Sequence, residues 1–91
     1  MNFYENKRIL EKDEIQYKLS KLEKAFLLAF KDKEFVTYEE LIEKVYEINL
    51  DFLKTSITEI KYRLCKKTGI EFMYKTNMGY KLISKINFIE N

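Results

Sequence analysis

The spacing of apolar positions changes repeatedly along this chain, and each change predicts an element. In residues 3–19 the apolar groups come in small clusters, Phe3-Tyr4 and Ile9-Leu10, followed by Ile15, Tyr17 and Leu19 alternating with Gln16 and Lys18. A period of two is that of a strand with one covered face, so this stretch reads as short strands. Its polar connectors lack Gly and Pro and fit a frayed helix as well. At Ser20 the period lengthens. Ser20-Lys21-Leu22-Glu23 fits a capping box, in which the serine hydroxyl accepts from the third helical amide and the glutamate reaches back to the cap's own amide. Leu22, Phe26, Leu27 and Phe30 then follow at helical spacing, widened by Leu28 and Ala29. The predicted first helix is the buried centre of the domain and ends near Phe30 or Lys31, where Lys31-Asp32-Lys33-Glu34 makes a charged turn.

Phe35-Val36 is a brief β-prone pair, and Thr37-Tyr38-Glu39-Glu40 is a second capping box with acids placed to suit the helix dipole. Leu41, Ile42, Val45 and Tyr46 form the buried stripe of a helix over roughly residues 38–47, broken by Ile48-Asn49-Leu50-Asp51. A third helix carries Leu53, Ile57, Ile60 and Leu64 on one face, and its start is ambiguous between Asp51 and Ser56. Gly69, with Lys66-Lys67-Thr68 before it, is a good stop, combining cations in the last turn with a residue that takes positive φ. Residues 70–75 and 80–83 are strand-like runs joined by Thr76-Asn77-Met78-Gly79, which predicts a hairpin with Phe72 and Tyr74 on the core side. The tail, 84–91, keeps some alternation at Ile86 and Phe88 and equally fits a frayed end.

Composition narrows the function. The chain has 91 residues, enough for one domain with its own core and short of two. The reading is a single domain over 1–91, with its core about 3–83. It has no histidine and one cysteine, Cys65, so it lacks the commonest general base and any internal disulfide. No acidic loop has calcium-binding spacing. No catalytic constellation, cofactor or metal is expected, and the chain is not read as an enzyme. Cys65, beside Leu64, reads as a small packing residue. No run is long enough to span a bilayer and the N-terminus has no signal-peptide pattern, so a cytoplasmic protein with no membrane partner is expected.

The net charge of +2 hides a dipole. Residues 54–85 hold eight Lys and Arg against Glu59 and Glu71, whereas residues 1–53 hold nine against twelve acids. Such asymmetry implies an anionic partner for the C-terminal part.

In this order, strands, two capped helices, a basic helix and a hairpin resemble the winged helix-turn-helix DNA-binding domain of OmpR/PhoB-type response regulators. The likeness spans roughly residues 3–83. It rests on Leu19-Ser20 with Glu23, Val36-Thr37 with Glu40-Leu41, Arg63-Leu64, and above all Asn77-Met78-Gly79-Tyr80 at the place of the family's Gly-x-Gly-Tyr wing tip. The resemblance implies an α+β winged helix-turn-helix with a short N-terminal antiparallel sheet, three helices and a C-terminal hairpin wing. It also implies a bacterial transcription regulator whose third helix enters the major groove of double-stranded DNA while the wing meets the adjacent backbone or minor groove. A homodimer on DNA and RNA polymerase as a second partner follow from the likeness alone. Thr76 stands where the family commonly has arginine, so that contact is either lost or taken over by Lys75 or Lys81. No receiver domain lies within these 91 residues, so the family's phosphorylation switch has no counterpart in them.

On this reading the recognition helix contributes Thr55, Thr58, Glu59, Lys61, Tyr62, Arg63, Lys66 and Lys67, and the wing Lys75, Thr76, Asn77 and Lys81. Lysine and arginine displace counterions from phosphates, whereas hydroxyls, Glu59 and the threonine methyls suit base edges. Glu59 equally fits a pair with Arg63 one turn on. The alternative is a protein-interaction module of the same shape, contacting polymerase or antagonising a related regulator without DNA specificity of its own.

Overall fold

The computed structural model describes residues 1–46 and 57–90. They form an α+β domain of three helices and seven strands in two sheets. In chain order these are β1 (Asn2–Tyr4), β2 (Ile9–Lys12), β3 (Ile15–Lys18), α1 (Lys21–Leu28), β4 (Phe35–Thr37), α2 (Tyr38–Tyr46), α3 (Ile57–Thr68), β5 (Phe72–Lys75), β6 (Gly79–Leu82) and β7 (Asn87–Ile89). The second helix's breaker, Leu53 and both candidate starts of the third helix lie outside the described residues.

The N-terminal strands make an antiparallel meander, and the sheet runs β3-β2-β1-β7. Its fourth strand is the tail, which lies parallel to β1 with Phe3 opposite Phe88. Their rings meet edge-on at 6.0 Å. Lys31 fastens this closure: its ammonium lies 2.9 Å from the buried carboxylate of Glu5 and 2.7 Å from Glu90. Those two carboxylates, Glu90 first, push the Lys31 pKa well up. Ile15 departs from the expected covered face, with 53% exposure. β3 is the outer strand, and the core reaches only Tyr17, in part, and Leu19 beyond its end.

The second sheet, β4-β6-β5, sets the β-prone pair Phe35-Val36 against β6 and so adds a strand to the predicted hairpin. Gly79 is needed for this. A Cβ there would overlap the Val36 carbonyl oxygen and sit 2.7 Å from the Thr37 Cα, so the glycine admits β4 as well as shaping the turn. At the turn, the Met78 amide donates to the Lys75 carbonyl at 3.0 Å, with Asn77 at φ 59°.

α1 begins with the complete capping box: the Ser20 amide donates to Glu23 at 2.8 Å and the Glu23 amide to the Ser20 hydroxyl at 3.1 Å. The helix itself ends at Leu28, and the chain goes on through turns to Asp32 at φ 64°. Phe26, Leu27 and Phe30 are fully or almost fully buried. Phe26 and Phe30 pack on Phe72 of the hairpin at centroid distances of 5.4 and 5.0 Å. Each such ring pair adds about 0.5–1.5 kcal/mol beyond the area it buries. At Thr37 the hydroxyl caps the Glu40 amide and donates its own proton to the Glu40 carboxylate. Leu41 and Val45, one turn apart, are buried. Ile42, one residue off that line, is 42% exposed rather than part of the stripe.

Candidate nucleic-acid interface

The orientation of α3 follows from its apolar spacing. Ile57, Ile60, Leu64 and Thr68 face inward. The Thr68 hydroxyl, buried with them, donates to the Leu64 carbonyl at 2.7 Å and accepts from the Ile70 amide. Gly69 then ends the helix at φ 81°, its amide donating to Cys65. At about 100° per residue, the line opposite the core runs through Glu59, Tyr62 and Lys66. All three are exposed, as is Arg63 beside them. Arg63 and Glu59 form the i,i+4 pair at 2.7 Å, and the Lys66 ammonium lies 5.8 Å from the centre of the Tyr62 ring. These surface contacts are worth only a few tenths of a kcal/mol each, but they hold the two charged groups along one strip.

The flanks of α3 are different. On the hairpin side, the Lys61 ammonium lies 5.8 Å from the centre of the Tyr80 ring, and the Thr58 hydroxyl is 3.4 Å from the Tyr80 hydroxyl. Tyr80 is 2% exposed and stacks with Tyr38 and Tyr74, each at 5.6 Å. Its hydroxyl reaches that of Tyr38 at 3.5 Å. Burial, then the bond with Tyr80, pushes the Tyr38 phenol above its ordinary value. This tyrosine cluster couples the third helix, the start of α2 and the hairpin. Tyr74, expected on the core side, is 50% exposed; it lies toward the hairpin tip, where its ring meets those of Tyr38 and Tyr80.

On the opposite flank Lys67, though 39% exposed, reaches back to the first helix. Its ammonium lies 2.6 Å from the carboxylate of Glu23, whose side chain is 6% exposed, and 3.1 Å from the Lys18 carbonyl. Burial pushes the Glu23 carboxyl up, but Lys67 and the Ser20 amide outweigh it and hold it below the usual carboxylate value. The same carboxylate thus caps α1 and anchors the end of α3. Between Lys67 and the outer strip lies an open groove of about 540 Å³, floored by Leu22 and Ile60 and rimmed by Tyr62, Arg63 and Lys66.

In the hairpin, Thr76 and Asn77 are exposed at the tip. The register sets Lys81 beside Met73 and Phe35, and Lys75 on the same side. These lysines therefore occupy the outer face of the sheet, opposite the one that Tyr80 and Leu82 turn to the core. Thr55 lies outside the described residues. The structure thus brings Thr58 and Lys61 to the hairpin junction and Glu59, Tyr62, Arg63 and Lys66 to one outward strip, and it gives Lys67 to Glu23. Sequence reasoning missed Tyr38, Tyr80 and Glu23 as the residues that position this surface. Tyr74 and Tyr80 share a strand face, which was a usable signal, but nothing local marks Tyr38 as their neighbour.

Cys65 is half-buried, and burial pushes its thiol up against a weaker pull from Lys61, which suits a packing role. Among the described residues no group of three or more His, Cys, Asp or Glu is placed to hold a metal ion, and no helix is long and apolar enough to cross a membrane. Comparison with protein-family models, curated proteins and solved structures finds no match to this chain.

Proposed function

We propose that the chain is a small winged helix-turn-helix regulator of the OmpR/PhoB type that binds double-stranded DNA. On this reading α3 lies in the major groove, β5–β6 is the wing, and β4 joins the wing to the helical core. The observation that carries the reading is the outward strip of α3, where Glu59, Tyr62, Arg63 and Lys66 are exposed on the face away from the core. A helix presenting cations and base-reading groups along one line suits the major groove, which admits an α-helix. Lys66, with Lys75 and Lys81, supplies phosphate contacts. Glu59, held by Arg63, suits the exocyclic amine of cytosine, and Thr76 and Asn77 suit backbone or minor-groove contacts.

The test is binding to duplex DNA across a salt series. The slope of log affinity against log salt is expected to be steep and negative, and Lys66→Ala is expected to reduce its magnitude by about 0.9. Affinity insensitive to both salt and substitution would refute the reading.

A protein-interaction role has its own observation. On α2, Glu39, Ile42 and Glu43 form an exposed acidic stripe around an apolar centre, opposite in sign to the α3 strip. Retained binding of a protein partner by a chain that ignores duplex DNA would favour that role.

A further inference from the structure

A threonine on a recognition helix has two groups to offer a base: a hydroxyl, which bonds almost any edge, and a methyl, which meets the 5-methyl of a pyrimidine. At Thr58 the fold has spent one of them. Its hydroxyl sits 3.4 Å from the hydroxyl of Tyr80, which is 2% exposed. Tyr80 and Tyr38 are fixed by the cluster they build, with their rings meeting edge to face at 5.6 Å and joined at 3.5 Å through their hydroxyls. Turning the Thr58 hydroxyl outward would take that partner from the buried Tyr80 phenol. Thr58 is an exposed residue, and with its hydroxyl engaged the γ-methyl is the group it has left to offer a base.

We infer that Thr58 reads the 5-methyl group of a thymine through this methyl, and that Tyr80 and Tyr38 are positioning residues that set the threonine rotamer. The inference rests on the proposed duplex-DNA reading and adds the chemistry read at one position. 5-Methylcytosine offers the same group, so the test includes both bases.

Duplexes enriched from a random-sequence pool by the wild-type chain are resynthesised with each thymine replaced in turn by deoxyuridine, which lacks only the methyl. At one position the replacement is expected to weaken binding about fourfold, the worth of one buried methyl-sized group. Thr58→Ser keeps the hydroxyl and loses the methyl, so its thymine-to-deoxyuridine ratio at that position falls to about one. Thr58→Val keeps the methyl and loses the hydroxyl, so it retains the ratio even where its melting temperature drops, whereas Tyr80→Phe removes the hydroxyl that holds the threonine rotamer, so its ratio falls. With a C·G pair at that position, 5-methylcytosine is expected to bind more tightly than cytosine. A ratio of one at every thymine in the wild type, an undiminished ratio in Thr58→Ser, or equal binding of cytosine and 5-methylcytosine overturns the inference. Duplex binding without sequence enrichment overturns it too, because no base is then read, whereas absence of any duplex binding overturns the DNA reading itself.

Discussion

Lys66 and Lys67 are neighbours of the same type, yet the structure gives them different tasks, and separating the two tests how charge is used here. Lys67→Met removes the ammonium 2.6 Å from Glu23 and keeps most of the apolar stem. Glu23, 6% exposed, then retains the Ser20 amide at 2.8 Å but has lost its cation. Breaking a fully buried pair costs about 3–5 kcal/mol. Lys67 is 39% exposed, so solvent screening brings the expected loss to about 1–2 kcal/mol. For a domain of this size each kcal/mol shifts the melting temperature by about 4–8 °C. Thermal unfolding followed by circular dichroism should therefore show a drop of roughly 5–15 °C at neutral pH.

The pH dependence has a definite sign. A carboxyl whose folded pKa is depressed contributes stability that is complete above its ordinary value of 4.5 and fades as pH falls through the lowered folded value. The gap between wild type and Lys67→Met should thus be full at pH 7 and close under more acidic conditions. Lys66→Met should leave the stability within about 0.5 kcal/mol of wild type and lower the DNA salt slope, while Lys67→Met leaves the slope unchanged. Equal thermal stability of the two variants, or an equal loss of slope, would refute this division.

Three further outcomes follow from the backbone and the sheets. Gly79→Ala forces a Cβ into the Val36 carbonyl, so β4 must leave β6; a loss of about 2–4 kcal/mol is expected in denaturant unfolding, and a loss below 0.5 kcal/mol would contradict the close approach. Glu14 holds φ 66° in the β2–β3 turn beside Asp13 at φ 51°, a conformation that costs a side chain about 1 kcal/mol, so Glu14→Gly should stabilise by about 0.5–1 kcal/mol. Lys31→Met severs the links to Glu5 and Glu90, and hydrogen exchange should then quicken at the β7 amides well before those of β5 and β6; uniform protection would contradict the fastening role.

What was legible in the sequence is what is local. The Ser20–Glu23 box, the Gly69 stop and the Thr76–Gly79 turn each follow from residues within one turn of each other, and each is present. The tail was open between strand and fray because its partner, β1, is more than eighty residues away, and no local signal encodes a parallel pairing of three residues. β4 was visible only as a β-prone pair for the same reason. Charge was legible as a total but not residue by residue: Lys66 and Lys67 differ only because a buried glutamate from α1 arrives beside one of them. The tyrosine cluster likewise joins positions 38, 74 and 80, which share no periodicity.

The central claim, that duplex DNA docks on the outward strip of α3 and the hairpin tip, is tested most directly by amide chemical-shift mapping of the labelled chain titrated with duplex DNA. The largest shifts are expected on Thr58, Glu59, Tyr62, Arg63, Lys66, Thr76 and Asn77, with β1, β2 and β7 unmoved. Shifts centred on Glu39, Ile42 and Glu43, or on the N-terminal sheet, would contradict it.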